Sequence, residues 1–130
     1  LVLGPTATVA DALAEIRRPD WVVSIAAQVF VCHPPFVPPT GKLLGTAHVQ
    51  RLLREPPSME LRQVVSDDPT VTPDATDREV AELLASYDML AVAVCDEGRL
   101  LGAVTVDDVL DRQLGSGWRS RGPTTRSRTA

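Results

Sequence analysis

The stretch Gly98–Asp111, GRLLGAVTVDDVLD, decides how this chain folds, because a second copy of its pattern occurs 57 residues earlier. That copy is Gly41–Leu53, GKLLGTAHVQRLL, and it opens on the same Gly-x-Leu-Leu-Gly pattern. In both stretches a Gly-flanked apolar segment is followed by apolar residues at helical spacing. Each copy therefore predicts a strand that leads directly into a helix.

A second pair of matching segments lies upstream of these copies, 68 residues apart. Thr8 precedes VADALAEIRR and Thr76 precedes DREVAELLAS, and an acid, Asp11 or Glu79, follows each Thr three residues later. This spacing is the signature of a capping box at the start of a helix. The apolar residues then recur at helical spacing, as Val9, Ala12, Leu13 and Ile16 in the first segment and Val80, Leu83, Leu84 and Tyr87 in the second. Two copies of one unit indicate a duplication.

Each unit is predicted to run helix, strand, strand, helix after a short extended lead-in. β-branched segments indicate strands over 25–31, 90–94 and 100–104. Closing helices are predicted near 49–54 and 106–113. The expected class is therefore α/β, with a small sheet and its helices in each of two repeats.

The two repeats are predicted over residues 5–58 and 59–114. The eleven-residue difference between the two spacings falls in a Pro-rich insertion near 32–40, which is expected to protrude. Residues 115–130 are rich in Gly, Ser, Thr, Pro and Arg, which predicts a disordered tail.

Composition and charge exclude several classes of function. Only 4% of the residues are aromatic while 44% are hydrophobic, so the core must be aliphatic. No apolar run approaches the roughly 18 residues of a membrane span, and the start at Leu1 without a signal peptide suggests a fragment. Residues 60–111 carry a net charge of −10 within a total of −4, which argues against nucleic-acid binding. This acidic block is either a solvated surface or a face that responds to cations.

The two cysteines, Cys32 and Cys95, close the apolar segments VFVC and VAVC. In such segments a cysteine usually behaves as a small buried hydrophobic residue of a reducing compartment. A single disulfide between them is left open by the sequence.

The duplicated unit, with its Gly-x-Leu-Leu-Gly pattern and closing Thr-x-x-Asp helix, resembles the CBS domain family. More narrowly, residues 43–58, LLGTAHVQRLLREPPS, and 99–111, RLLGAVTVDDVLD, look like the CBS pair in the cytosolic part of MgtE-type magnesium transporters and their soluble relatives. The resemblance covers residues 5–114. The Ala-Gly-x-x-Met-Thr segment that usually leads into the first repeat of MgtE-type proteins is absent, so this lead-in is expected to be truncated.

The resemblance implies a Bateman module, in which two repeats pack about a pseudo-twofold axis and the pairs form a homodimer. It implies a regulatory role in the cytoplasm, with AMP, ADP, ATP or Mg²⁺ as regulatory ligands and no required cofactor. It also implies an attached transmembrane or helical domain outside this chain. The alternative reading is a structural dimerisation module that binds no ligand.

For an adenine nucleotide, the resemblance points to Thr105 and Asp108. In nucleotide-binding CBS repeats the Asp accepts hydrogen bonds from the ribose hydroxyls, and the Thr lies near the phosphate at a helix N-terminus. The same two residues also form a capping box, which a helix needs whether or not a ligand binds. The adenine is expected to lie against the second lead-in and the strand that follows, at Val71, Thr72, Pro73, Leu90, Ala91 and Val92.

The first repeat departs from this pattern, because His48 stands at the place of Thr105 and Arg51 at that of Asp108. His48 is a poor helix cap, and a guanidinium group donates hydrogen bonds but accepts none. The first repeat is therefore not expected to bind a nucleoside in the usual way. Arg51 could instead reach a phosphate or pair with an acid of the second repeat, and the pairing is the expectation.

Mg²⁺ is the other candidate ligand, because it needs only one or two carboxylates and completes its shell with water. The acidic block supplies many such groups, with no spacing that singles out a set. The candidate metal ligands are Asp67, Asp68, Asp96, Asp107 and Asp111.

Catalysis has little support in the sequence. The two histidines, His33 and His48, fall in different predicted elements, and adjacency of Cys32 and His33 is not the geometry of a nucleophile and its base. No Cys and His spacing matches a zinc site. We therefore expect no catalytic residues and no enzyme activity.

Overall fold

The computed structural model describes residues 1–21 and 23–114, and for Val23 and Ser24 only the backbone. The predicted tail, 115–130, lies outside the described residues.

The chain forms two units that share the order strand, helix, strand, strand, helix, and the first unit has one additional short helix, α2. The first contains β1 (Val2–Leu3), α1 (Val9–Ile16), α2 (Val23–Ala26), β2 (Gln28–Cys32), β3 (Leu43–His48) and α3 (Val49–Leu52). A 3-10 turn at Leu61–Gln63 follows, and the second unit contains β4 (Thr70–Val71), α4 (Asp77–Ser86), β5 (Ala91–Asp96), β6 (Arg99–Thr105) and α5 (Val106–Leu114). The predicted duplication and the α/β class are confirmed.

Each unit has one three-stranded sheet, in the order β1-β2-β3 or β4-β5-β6. The lead-in strand pairs parallel with the central strand, which pairs antiparallel with the last. Both sheets shift register at the equivalent place, after Val31 in the first and after Val94 in the second. The lead-in and the last strand therefore lie on opposite edges of each sheet.

Three aliphatic clusters hold the units together. One lies inside the first unit around Val9, Val29 and Leu52, and another inside the second around Val80 and Val92. The third joins the two sheets and contains Phe30, Cys32, Ala93, Cys95 and Leu100. Burial of such apolar surface is the main favourable term in folding, so the third cluster fixes how the repeats face each other.

The hairpin ends of the two sheets are also joined by the backbone. The N–H of Leu43 donates to the carbonyl oxygen of Gly98 at 2.8 Å, and Lys42 and Arg99 form an antiparallel bridge. Beside them, Arg99 donates from Nε to the carbonyl oxygen of Thr40 at 2.6 Å. The Pro-rich insertion protrudes only over residues 33–39, since Cys32 belongs to β2 and Thr40 is fully buried.

Helix starts agree with the sequence, and several other boundaries do not. The capping boxes of Thr8 with Asp11 and of Thr76 with Glu79 are both present. The first predicted strand begins three residues late, at Gln28, because Ile25 belongs to α2. Tyr87 does not extend the apolar face of α4, since it caps the end of this helix and is 58% exposed.

Candidate functional site

A cavity of about 640 Å³ lies between the two repeats and is called here the inter-sheet cavity. The first repeat contributes Leu1, Trp21, Ile25, Gln28 and Phe30 to its lining, and the second contributes Ala91, Ala103, Thr105, Asp107, Asp108 and Asp111. Its size is within the range of small-molecule sites, about 300–1,000 Å³.

Thr105 and Asp108 lie where β6 runs into α5 and form a reciprocal capping box. The N–H of Thr105 donates to Oδ2 of Asp108 at 3.0 Å, and the N–H of Asp108 donates to Oγ1 of Thr105 at 3.1 Å. A carboxylate accepts about four hydrogen bonds, so the cap leaves Asp108 with acceptor capacity for a ligand. Capping and ligand binding are therefore compatible at this residue.

Most of the remaining lining of the cavity is apolar and comes from both repeats. Phe30 and Trp21 supply aromatic rings, and Ala91 and Ala103 supply small side chains from the second sheet. Gln28 is buried and spans the two repeats, because its Nε2 donates to the carbonyl oxygen of Ala91 at 3.0 Å. Among the residues that the structure describes, the buried indole nitrogen of Trp21 has no hydrogen-bond partner.

Sequence reasoning missed both Trp21 and Gln28. A polar residue opening the apolar segment QVFVC was a usable signal for Gln28, since a buried amide needs a partner. Trp21 follows a turn, and no local pattern indicates what it faces.

The residues predicted to surround the adenine line different cavities, and the structure does not bring them together as one set. Ala91 lies with Thr105 and Asp108, but Val92 points to the opposite face of β5 into the core of the second unit. Leu90 lines a different cavity, while Val71 and Thr72 line others and Pro73 is exposed. The cause is strand order, which places β4 on the far edge from β6.

A second cavity of about 440 Å³ is called here the first-repeat cavity, because His48 lines it. Nε2 of His48 lies 2.5 Å from Oδ2 of Asp68, and His48 makes no side-chain cap to α3. The sequence predicts that Arg51 pairs with an acid of the second repeat. In the structure it donates instead from Nε to Oε2 of Glu55 at 2.6 Å. Glu55 is four residues further along the chain, just after α3, so Arg51 reaches it within the first repeat.

The candidate metal ligands fall in separate places. Asp107 and Asp111 line the inter-sheet cavity, whereas Asp67 and Asp68 line a depression of about 350 Å³ beside β3. Asp96 ends β5. Over 1–21 and 23–114, no group of three or more His, Cys, Asp or Glu side chains is placed to hold a metal ion. A site with one or two carboxylates and water stays a prediction.

Both cysteines are buried free thiols in the cluster that joins the sheets. Burial raises the pKa of the Cys32 thiol, and burial together with the nearby Cys32 raises the pKa of Cys95. A thiol that keeps its proton is a poor nucleophile and a poor metal ligand. The interpretation of these residues as small hydrophobic groups agrees with this placement.

The class of protein follows from the fold and from one family match. Residues 61–115 match the CBS domain family. The first unit repeats the topology of this matched second unit, so the chain has the fold of a CBS pair. No helix among the described residues is long and apolar enough to cross a membrane.

Among known proteins, the chain is similar to magnesium transporters. Magnesium transporter MgtE of Thermus thermophilus is 40% identical over 73 residues, which are 55% of this chain and 16% of the transporter. The crystal structure of the cytosolic domain of the Mg²⁺ channel MgtE in complex with ATP superposes with a TM-score of 0.71 at 32% identity, over 86% of this chain and 44% of that one.

A third relative is the cystathionine beta-synthase pair domain of a proposed Mg²⁺ transporter from Shewanella oneidensis. It superposes with a TM-score of 0.74 at 27% identity, over 88% of this chain and 65% of that one. The chain thus spans less than half of the MgtE proteins it matches.

Proposed function

We propose that this CBS pair is a regulatory module that binds an adenine nucleotide in the inter-sheet cavity, within a magnesium transporter-like protein. One observation carries the proposal: Thr105 and Asp108 line the same cavity of about 640 Å³ as the aromatic residues Trp21 and Phe30. The relative whose cytosolic domain was crystallised in complex with ATP supports the choice of ligand.

The lining suggests how the nucleotide lies. Its base packs against Phe30 and Trp21, since a flat ring gains most from aromatic and apolar contact. Its ribose hydroxyls donate to the carboxylate of Asp108. Its phosphate lies towards Thr105 and the N-terminus of α5, where the helix dipole favours an anion. A ligand held in this way contacts both repeats.

Mg²⁺ enters the proposal through the charge of the same cavity. Asp107, Asp108 and Asp111 all line it, so a phosphate group would meet three carboxylates. A divalent cation held by one or two of these acids and by the phosphate offsets the repulsion. We therefore propose that Mg²⁺ strengthens nucleotide binding. Both ligands would then favour the arrangement in which the two repeats lie against each other.

The setting of the module is part of the proposal. Likeness to a cytosolic domain and to the soluble part of a magnesium transporter supports a cytoplasmic location and an attached membrane domain. A homodimer of CBS pairs would transmit to that membrane domain whether the nucleotide site is occupied. A role in regulation, and none in catalysis, is what the relatives support.

Isothermal titration with AMP, ADP and ATP, each with and without MgCl₂, tests the proposal. We expect saturable heat for at least one nucleotide and its loss in Asp108→Ala. Asp11→Ala is the matched control, because Asp11 closes the same kind of capping box on α1, with contacts of 2.9 and 3.2 Å. It should lose similar stability and keep binding. The absence of heat for every nucleotide overturns the proposal.

The complete capping box at Thr105 and Asp108 favours a second candidate, a structural dimerisation module without a ligand. In that case Asp108→Ala and Asp11→Ala lower the melting temperature alike, and no nucleotide raises it. Light scattering after size exclusion would then show a dimer that nucleotides leave unchanged.

A further inference from the structure

Cys32 and Cys95 occupy matching places in the two repeats. Each lies directly after the register shift of its central strand, β2 or β5. They are 63 residues apart, and so are Phe30 and Ala93, which belong to the same buried cluster between the sheets. The two sheets therefore meet through matched residues, and this brings one thiol from each repeat into a single cluster.

The hairpin junction holds the two cysteines near each other. Cys32 pairs with Leu43 in the first sheet, and the N–H of Leu43 donates to the carbonyl oxygen of Gly98 at 2.8 Å. Gly98 belongs to the turn that leads from the strand of Cys95 into β6. The pKa of the Cys95 thiol is raised by burial first and then by Cys32, an effect that requires the two sulfur atoms to be close. The thiols are therefore neighbours across the boundary between the repeats.

Cys95 is the thiol that a small reagent can reach. It lines the depression of about 350 Å³ beside β3 and is 8% exposed, whereas Cys32 is fully buried. Asp67, Asp68 and Glu97 line the same depression. Their carboxylates repel an anionic oxidant such as oxidised glutathione, because like charges concentrated in a cleft disfavour entry. A small neutral peroxide meets no such barrier.

We propose that Cys95 and Cys32 form a disulfide between the two repeats when hydrogen peroxide enters this depression. The Cys95 thiolate attacks one peroxide oxygen, the O–O bond breaks, and the hydroxide that leaves takes up the thiol proton as water, so that Cys95 becomes a sulfenic acid. The Cys32 thiolate then attacks the sulfur of Cys95, the S–O bond breaks, and a second water leaves as the S–S bond forms. Two thiols lose two electrons to one peroxide, which yields one disulfide and two waters.

The surroundings of Cys95 set the pace of this reaction. Burial, the main cause of its raised pKa, keeps the thiol protonated at neutral pH, and the thiolate is the form that reacts. A hydrogen bond with Thr70, which lines the same depression, acts in the opposite direction. The pair therefore stays reduced at low peroxide and oxidises faster as the pH rises. The bridge then fixes the repeats beside the hairpin junction, apart from Thr105 and Asp108.

Treatment of the whole chain with hydrogen peroxide tests the proposal. We expect both thiols to disappear from a thiol titration in denaturant, and a peptide that joins Cys32 to Cys95 to appear in a digest without reductant. Thiol loss should be about tenfold or more faster at pH 9 than at pH 7. The melting temperature should rise by several degrees, because the bridge closes a long loop, and dithiothreitol should reverse the rise.

Single-cysteine variants separate the two roles, and circular dichroism shows whether each is folded. In Cys32→Ala, peroxide should leave a sulfenic acid at Cys95 that dimedone traps. In Cys95→Ala, the fully buried Cys32 should react at least about tenfold more slowly. Equal rates in the two variants would contradict entry through Cys95.

The acidic lining has its own test in the double variant Asp67→Asn, Glu97→Gln. Oxidised glutathione should react faster with this variant than with the parent chain, while the rate with peroxide stays within about twofold. Equal rates with oxidised glutathione would overturn the selection by charge. Two free thiols after peroxide at pH 9, or a disulfide between chains in place of the internal one, would overturn the bridge itself.

Discussion

Thr40 and Leu100 exchange two hydrogen bonds across the boundary between the repeats. The N–H of Thr40 donates to the carbonyl oxygen of Leu100 at 3.0 Å, and the N–H of Leu100 donates to Oγ1 of Thr40 at 3.0 Å. Both residues are buried, so neither N–H has water as a substitute partner. The end of the Pro-rich insertion is therefore an anchor to the second repeat.

Replacing this hydroxyl should destabilise the pair of repeats. In Thr40→Val the buried N–H of Leu100 loses its acceptor, which costs about 1–3 kcal/mol. Thermal denaturation should show a melting temperature lower by several degrees. Thr6→Val, at an exposed threonine, is the control and should change the free energy of unfolding by less than about 0.5 kcal/mol. Equal effects of the two changes would contradict the anchoring role.

The glycines that end the two Gly-x-Leu-Leu-Gly patterns should respond differently to the same change. A Cβ on Gly45 would lie 2.7 Å from the carbonyl oxygen of Ser66, whereas one on Gly102 would meet nothing within 4 Å. Gly45→Ala should therefore cost about 1–3 kcal/mol, as overpacking does. Gly102→Ala should be neutral or slightly stabilising. Urea unfolding of both variants measures this, and similar losses would show that Gly45 is not crowded by Ser66.

The contact between His48 and Asp68 should be visible as a coupling energy. A double-mutant cycle with His48→Ala and Asp68→Ala should give about 1 kcal/mol, because the pair is short but only partly buried. The pair of Arg78 and Glu82 is the control, since its atoms are 3.9 Å apart and both side chains are largely exposed. The coupling energy of this control pair should be near zero. An equally small coupling energy for His48 and Asp68 would show that their contact does not stabilise the fold.

The buried thiols should make stability fall at alkaline pH. Burial raises the pKa of Cys32 and of Cys95 in the folded protein, so the unfolded chain loses these protons first. The stabilisation that the two buried thiols contribute is complete below the ordinary thiol pKa, about 8.5. It is lost as the pH rises through their raised pKa values in the folded protein. Urea unfolding at several pH values should show this decline relative to the Cys32→Ala, Cys95→Ala double variant. Parallel pH profiles would contradict it.

Features that depend on a few neighbouring residues could be predicted from the sequence. The helix starts at Thr8 and Thr76 follow from a hydroxyl and an acid three residues apart, and both capping boxes are present. The turn between β5 and β6 follows from Glu97-Gly98, and both residues have positive φ. The sequence predicts a capping box of Thr105 and Asp108 as well as a ligand site at these residues, and the capping box is present in the structure.

Features that depend on how the sheets meet could not be predicted. The resemblance predicts that Val71 lies against the adenine, but its strand lies at the opposite edge of the sheet from β6. Trp21 and Phe30, which line the inter-sheet cavity together with Asp108, belong to the other repeat. Arg51 was expected to reach across the repeats, but Glu55 is one helical turn away. Strand order and sheet facing are tertiary properties, and no local spacing encodes them.

The backbone junction of Leu43 with Gly98 has a mechanical consequence. It ties the sheets at their hairpin ends, while Ala91 and Thr105, at the inter-sheet cavity, lie at the other ends of β5 and β6. At about 3.3 Å per residue, the inter-sheet cavity lies on the order of 15–20 Å from the junction along these strands. A rotation of one repeat about this junction would widen the cavity and lengthen the hydrogen bond from Gln28 to Ala91, because that bond lies at the cavity end of the sheets.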